Sequence, residues 1–269
     1  MNGFPIDTVV LVDSSGIDAD PVCLPKVSLP KGAVLLTHMP KVPMATYQID
    51  GQKVSVAYRP EPFDPKQLST FVAAARTWPG AAEAVEGATG YFVIGSDLSP
   101  EGHEQTESTS MAVSRMAAAV ASSYNGKALF WKPSGALVDP KEFVSNLDDP
   151  NLSPSLVSTW VHMSWFRGDP LPGSTAERPP LAVSTTGLAR FVGREIELLP
   201  TDLPAAQIAE LVIFVSRYLI RSGPVLASGH TLGFDERRAV KVDLLDEGLR
   251  PGIPVISLTY RQNEITVSD

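Results

Sequence analysis

The densest group of side chains able to do chemistry lies between residues 190 and 231. Arg190, Arg194, Glu195 and Glu197 fall within one short run, and His230-Thr231 sits between Gly229 and Gly233. If residues 195–199 form a strand, alternation puts Glu195 and Glu197 on one face and Ile196 and Leu198 on the other. Two carboxylates on a common face beside Arg194 suit acid–base work or cation binding. The competing use of such a stretch is a solvated strand face balanced by arginines, because exposed ion pairs are common and contribute little. His230 offers an acid or base in a glycine loop. The same loop also reads as a turn that needs positive φ at both glycines. Thr231 completes the candidate polar site.

Other catalytic patterns are missing from the sequence. It contains no Gly-x-Ser-x-Gly elbow, phosphate-binding loop, dinucleotide glycine fingerprint or His-Glu-x-x-His. His38, His103, His162 and His230 are scattered, with no Cys or carboxylate at ligand spacing, so neither a metal nor a cofactor is expected. Cys23 would need a histidine brought close in space to act as a nucleophile. Between Val22 and Leu24 it reads as a small buried hydrophobe. Trp78, Trp131, Trp160 and Trp165 stand at the ends of expected elements. Grouped, they would form an interaction surface; dispersed, they would pack the core.

Composition narrows the partners. The chain has 30 acidic against 22 basic residues, a formal net charge of −8. That balance opposes both a phosphate backbone and an anionic membrane surface, and favours a protein partner, a basic one by complementary fields. No apolar run approaches the ~18 residues of a membrane span. The first residues lack the basic and apolar regions of a signal peptide, and the single Cys23 fits a reducing compartment, so the cytoplasm is expected.

These side chains must be positioned by a mixture of strands and helices. Val9–Val12 and Ala33–Leu36 read as strands. Ala45, Tyr47 and Ile49 then alternate against Val54, Val56 and Tyr58 across Asp50-Gly51, a hairpin signal. Asp64, Pro65 and Gln67 open a helix with an apolar stripe at Leu68, Phe71, Val72 and Ala75. Tyr91–Ile94 reads as a strand, Glu104–Ser122 as a helix, and Ala128–Lys132 and Val157–Trp165 as strands. Strands at Leu181–Thr185 and Glu195–Leu199 precede a helix from Pro204 to Arg221, which Gly223-Pro224 stops. That helix is apolar almost all round, which predicts packing on more than one side. Strands at Ala239–Leu244, Pro254–Tyr260 and Glu264–Val267 close the chain.

The fold class expected is α+β, with mainly antiparallel sheets and helices packed on them. Residues 49–56 line up with 191–198, and the helices that follow align after a short slip, which suggests two similar lobes by duplication. The lobes are expected at about 1–167 and 181–269, joined by the Pro/Gly-rich segment 168–180.

The stretch Leu181–Phe234 also resembles a known family. Thr185-Thr186-Gly187-Leu188, Phe191, Gly193-Arg194-Glu195-Ile196-Glu197, Gly223-Pro224-Val225-Leu226 and Gly229-His230-Thr231-Leu232-Gly233-Phe234 are similar to signature blocks of the bacterial "domain of unknown function 4261" family. Trp78–Val85 and Phe130-Trp131 leading into Pro140 agree in order and spacing. The chain departs at Val192, where a Gly is usual, at Arg194 for Lys, and at His230 for Asp. The resemblance implies one family unit over residues 1–269. It further implies an interaction protein, an accessory, adaptor or immunity factor beside a type VI secretion system or toxin. The alternative is an enzyme or small-ligand binder with a pocket around Glu195, Glu197, Arg194 and His230. It requires those groups to come within ~10 Å of one another, since reacting groups must reach one substrate.

Overall fold

A computed structural model describes residues 6–15, 17, 28–39, 44–96, 100–149, 151–168, 179–233 and 238–262. Cys23, Phe234 and the expected strand at Glu264–Val267 lie outside them. The chain divides into two compact units, Met1–Trp160 and Val161–Asp269.

In chain order the first unit holds β1 (Asp7–Val12), β2 (Val34–Met39), β3 (Met44–Ile49), β4 (Gln52–Arg59), α1 (Pro65–Ala74), α2 (Ala81–Glu86), β5 (Gly90–Ser96), α3 (Gly102–Ser123), β6 (Ala128–Trp131), β7 (Ala136–Val138), α4 (Pro140–Ser145) and α5 (Pro154–Trp160). Its seven-stranded antiparallel sheet runs β2-β3-β4-β5-β1-β6-β7. The β3–β4 turn is the Asp50-Gly51 hairpin that the sequence predicts, with positive φ at both residues. Asp64 accepts from the Lys66 N–H at 3.0 Å and so caps α1, with Pro65 at its first position.

The inner strand β1 is buried on both faces. Val9 and Leu11 pack with Leu68, Val85, Phe130 and Leu137 under α1 and α2. The long helix α3 lies against β1, β4 and β5. Its buried residues are mostly small (Ala112, Ser114, Ala117, Ala121), and that lets the helix lie close to the strands it covers. Trp131 and Trp160 are fully buried with ring centroids 6.3 Å apart, and Trp160 Nε1 donates to Ser114 Oγ at 3.0 Å.

The second unit holds β8 (His162–Arg167), β9 (Leu181–Thr186), α6 (Ala189–Val192), β10 (Glu195–Thr201), α7 (Ala205–Ser222), β11 (Thr231–Gly233), β12 (Arg238–Leu245) and β13 (Val255–Gln262). Its six strands run β11-β12-β13-β10-β9-β8. Only β10–β13 is parallel, so the α+β class with mainly antiparallel sheets holds in both units.

Three expectations are corrected. Residues 157–165 are not one strand: the chain leaves α5 at Trp160 and enters β8 at His162. Segment 168–180 is not the joint between lobes. β8 pairs with β9, and the Gly168 N–H donates to the Pro180 carbonyl at 2.8 Å, so the segment connects two strands of one sheet; its residues 169–178 lie outside the described set. The helix at 205–222 is covered on one broad face by Ile208, Leu211, Val212, Val215, Leu219 and Ile220, whereas Phe214 and Tyr218 each stay 40% exposed.

The proposed repeat shares only a strand followed by a helix. Residues 49–56 form a hairpin, while 191–198 leave the helical turn α6 through Gly193, and the two sheets differ in strand number and order.

Candidate functional site

The candidate residues divide among separate local structures. Glu195 opens β10 and is buried. Its Oε1 accepts from the Gly187 N–H at 2.8 Å and the Ala189 N–H at 3.2 Å. Its Oε2 accepts from the Leu188 N–H at 3.1 Å and from Thr185 Oγ1 at 2.7 Å. The Ile196 N–H in turn donates to Thr185 Oγ1 at 2.8 Å. Helix α6 has no side-chain cap at Leu188, so the Glu195 carboxylate, three residues past its far end at Val192, satisfies its free N–H groups. Gly193 makes that return possible with φ 77°, a left-handed conformation that suits glycine. A carboxylate whose two oxygens already take four hydrogen bonds is a structural cap, with little capacity left for a substrate proton.

Glu197, also buried, serves the β12–β13 connection. Its Oε1 accepts from the Leu249 N–H at 2.8 Å, and a Cβ at Gly248 would stand 2.5 Å from the same oxygen. Gly248→Ala should therefore swing the carboxylate off this turn and cost ~0.5–1.5 kcal/mol through the lost Leu249 hydrogen bond. Urea midpoints of the two proteins check this, and an unchanged midpoint would refute the tight fit.

Register neighbours extend the polar character from Glu197 across the sheet. Ser164 lies opposite Ser184, Ser184 opposite Glu197, Glu197 opposite Ser257, and Ser257 opposite Asp243. Arg250 reaches the same face, donating to Thr186 Oγ1 at 2.9 Å, to Ser184 Oγ at 3.4 Å and to the Thr185 carbonyl. Neither Arg250 nor Gly248 was visible as a site residue in the sequence. The only local signal was polar residues at alternating positions of β9, β10 and β13. His162 sits at the β8 end of this face, where burial holds its pKa below the usual value and keeps it neutral at neutral pH.

Arg194, His230 and Thr231 go elsewhere. Arg194 donates to the Leu245 carbonyl and meets Asp246 at 3.4 Å. His230 Nδ1 accepts from the Ala227 N–H at 3.3 Å in an exposed turn. Of the two loop glycines only Gly229 takes positive φ; Gly233 extends in β11 opposite Ala239. Thr231 pairs with Lys241 on the edge strand β11, three strand positions from β10. At strand spacings of ~4.8 Å that separation is ~14 Å, so His230-Thr231 and the glutamates share no substrate-sized locus.

The aromatic set also separates. Trp131 and Trp160 are core, Trp78 is partly buried against the Val9–Leu11 cluster, and Trp165 alone is exposed, on β8. Among the described residues no cluster of His, Cys, Asp or Glu could hold a metal, and no helix is long and apolar enough to cross a membrane. A cavity of about 300 Å³ beside the end of α3 and α4 has Lys141 as its one charged group and no acid–base pair.

The carboxylate-capped turn lies in a stretch similar to a known protein family. Residues 184–259 match the family described as Domain of unknown function (DUF4261). That segment is similar to DUF4261. It begins on β9 and ends in β13, so it holds the Glu195 cap, the Glu197 turn, α7 and β11–β13 within the second unit. The blocks at Trp78–Val85 and Phe130-Trp131 lie outside the matched residues. No curated protein and no solved structure matches the chain. The DUF4261 motifs Thr185–Leu188 and Gly193–Glu197 thus coincide with a turn and its internal cap.

Proposed function

We propose that this chain is a non-enzymatic protein-binding module whose contact face is the outer side of α7. Phe214, Arg217, Tyr218 and Arg221 fall at i, i+3, i+4 and i+7, one continuous stripe. The observation that supports the reading is that this stripe joins two large, 40% exposed aromatics to two arginines. Aromatic and Arg side chains carry most of the energy at protein interfaces. Arg217 makes no ion pair among the described residues.

On this stripe two arginines outnumber the exposed Glu210 one turn before Phe214, in a chain of net charge −8, so the fitting partner presents carboxylates around an apolar anchor at this face. On this proposal the partner is a toxin or secretion component, with the chain as its accessory, adaptor or immunity protein; the motif resemblance is what suggests it. The enzymatic reading has less support, because its four polar groups serve separate turns and caps.

Affinity capture from the native host tests the proposal, comparing the intact chain with a Phe214→Ala, Tyr218→Ala double variant. The expected result is one stoichiometric protein that the variant fails to retain. Equal recovery by both chains, or a small molecule in place of any protein, would sink it.

A further inference from the structure

The cavity of about 300 Å³ lies where the end of α3 meets α4, and its shape follows from small residues on the α3 side. Asn125 takes φ 49°, and the Gly126 N–H donates to the Ala121 carbonyl at 2.7 Å, so the chain turns sharply past the helix end. A Cβ at Gly126 would stand 3.1 Å from Ala121 Cβ and 3.2 Å from Val10 Cγ1, so a bare backbone suits that turn. The far wall is Pro140 and Val144, four residues apart on one face of α4. Buried Phe143 anchors α4, and Asp139 caps it by accepting from the Lys141 N–H at 2.8 Å.

The polar groups lining the hollow are not spent inside the protein. Lys141, Asn125 and Ser122 are exposed, and their side chains make no hydrogen bond or ion pair among the described residues. The two carboxylates closest to Lys141 along the chain are engaged elsewhere. Asp139 holds the start of α4, and Glu142 Oε1 accepts from Ser155 Oγ at 3.0 Å. The hollow thus carries one positive charge, in a chain of net charge −8, beside an apolar wall of Ala121, Pro140 and Val144.

We infer that this cavity binds a small aliphatic carboxylate. Its alkyl body lies against Ala121, Pro140 and Val144, and its head meets Lys141, with the Asn125 amide and the Ser122 hydroxyl as further donors. Volume sets the size: at ~30 Å³ per water the space equals about ten waters, which suits a molecule of about ten heavy atoms. Charge sets the class, because one unpaired ammonium matches a single negative charge. A phosphate dianion fits less well. The C-terminal end of α3 adds partial negative charge, and the Lys141 N–H at the start of α4 is already taken by Asp139.

The inference concerns the first unit and stands apart from the α7 reading. Titration of the intact chain with sodium octanoate tests it, followed by calorimetry and amide shifts, with octylammonium chloride and inorganic phosphate as comparisons. Saturable one-to-one binding of octanoate is expected, with shifts centred on residues 121–126 and 140–145. Lys141→Gln should weaken it ~10-fold or more, the loss of one hydrogen bond to a charged group, and keep the melting temperature because the side chain is exposed. Val144→Trp, which fills the hollow, should abolish it. Absence of saturable octanoate binding overturns the inference, as do equal binding of octylammonium and displacement by equimolar phosphate. Shifts centred elsewhere, or unchanged affinity in Lys141→Gln, overturn it as well.

Discussion

Glu195→Gln is expected to destabilise the protein by ~2–4 kcal/mol, at near-constant side-chain volume. Leaving a buried donor unpaired costs ~1–3 kcal/mol. The glutamine keeps one acceptor oxygen but turns an NH2 group toward donors that the second carboxylate oxygen now serves. Those donors are the Leu188 N–H and Thr185 Oγ1, or the Gly187 and Ala189 N–H groups if the amide flips. Thr185 can relieve the conflict only by turning its hydroxyl proton to the Ile196 carbonyl, a long 3.4 Å contact, while its oxygen goes on accepting from the Ile196 N–H. Urea unfolding reads the loss as a lower midpoint at unchanged slope. Glu197→Gln is the control. Its carboxylate holds one backbone donor, the Leu249 N–H, and a loss below that of Glu195→Gln is expected. Equal midpoints for Glu195→Gln and the unaltered protein would show that the carboxylate is not needed as a cap.

Trp160→Ala should cost ~3–5 kcal/mol, the range for emptying a buried large aromatic site. Its ring is fully buried against Trp131, and its loss strands Ser114 Oγ without the indole donor. The same change at Trp165, 40% exposed on β8, should stay within ~0.5 kcal/mol, as most surface substitutions do. Thermal melts of the two variants make the comparison. A large loss at Trp165 or a small one at Trp160 would contradict the placement of the two rings.

Much of the architecture could be read from local pattern. Alternation set out β3 and β4, Asp50-Gly51 set their turn, and Asp64-Pro65 opened α1, because each signal acts within a few residues. Residues 157–165 were misread because a buried amphipathic turn and a strand carry the same apolar density over so few positions. The short helix α6 and strand β11 escaped notice for the same reason, being too short to show a period.

The candidate site shows where local reading ends. Sequence alone determined that Glu195 and Glu197 stand two apart on a strand, that glycines stand at 187 and 193, and that the sequence carries none of the standard catalytic motifs. It could not determine what each carboxylate faces, because Thr185, the turn at Gly248-Leu249 and Arg250 reach them only through strand pairing and the return of the β12–β13 connection. Nor could it separate His230 from the glutamates, since that gap is a count of intervening strands and not of residues. The same holds for the cavity beside α4. The small residues Ala121, Ser122 and Gly126 are plain in the sequence, but that they face Pro140 and Val144 across a hollow comes only from how α3 packs against α4.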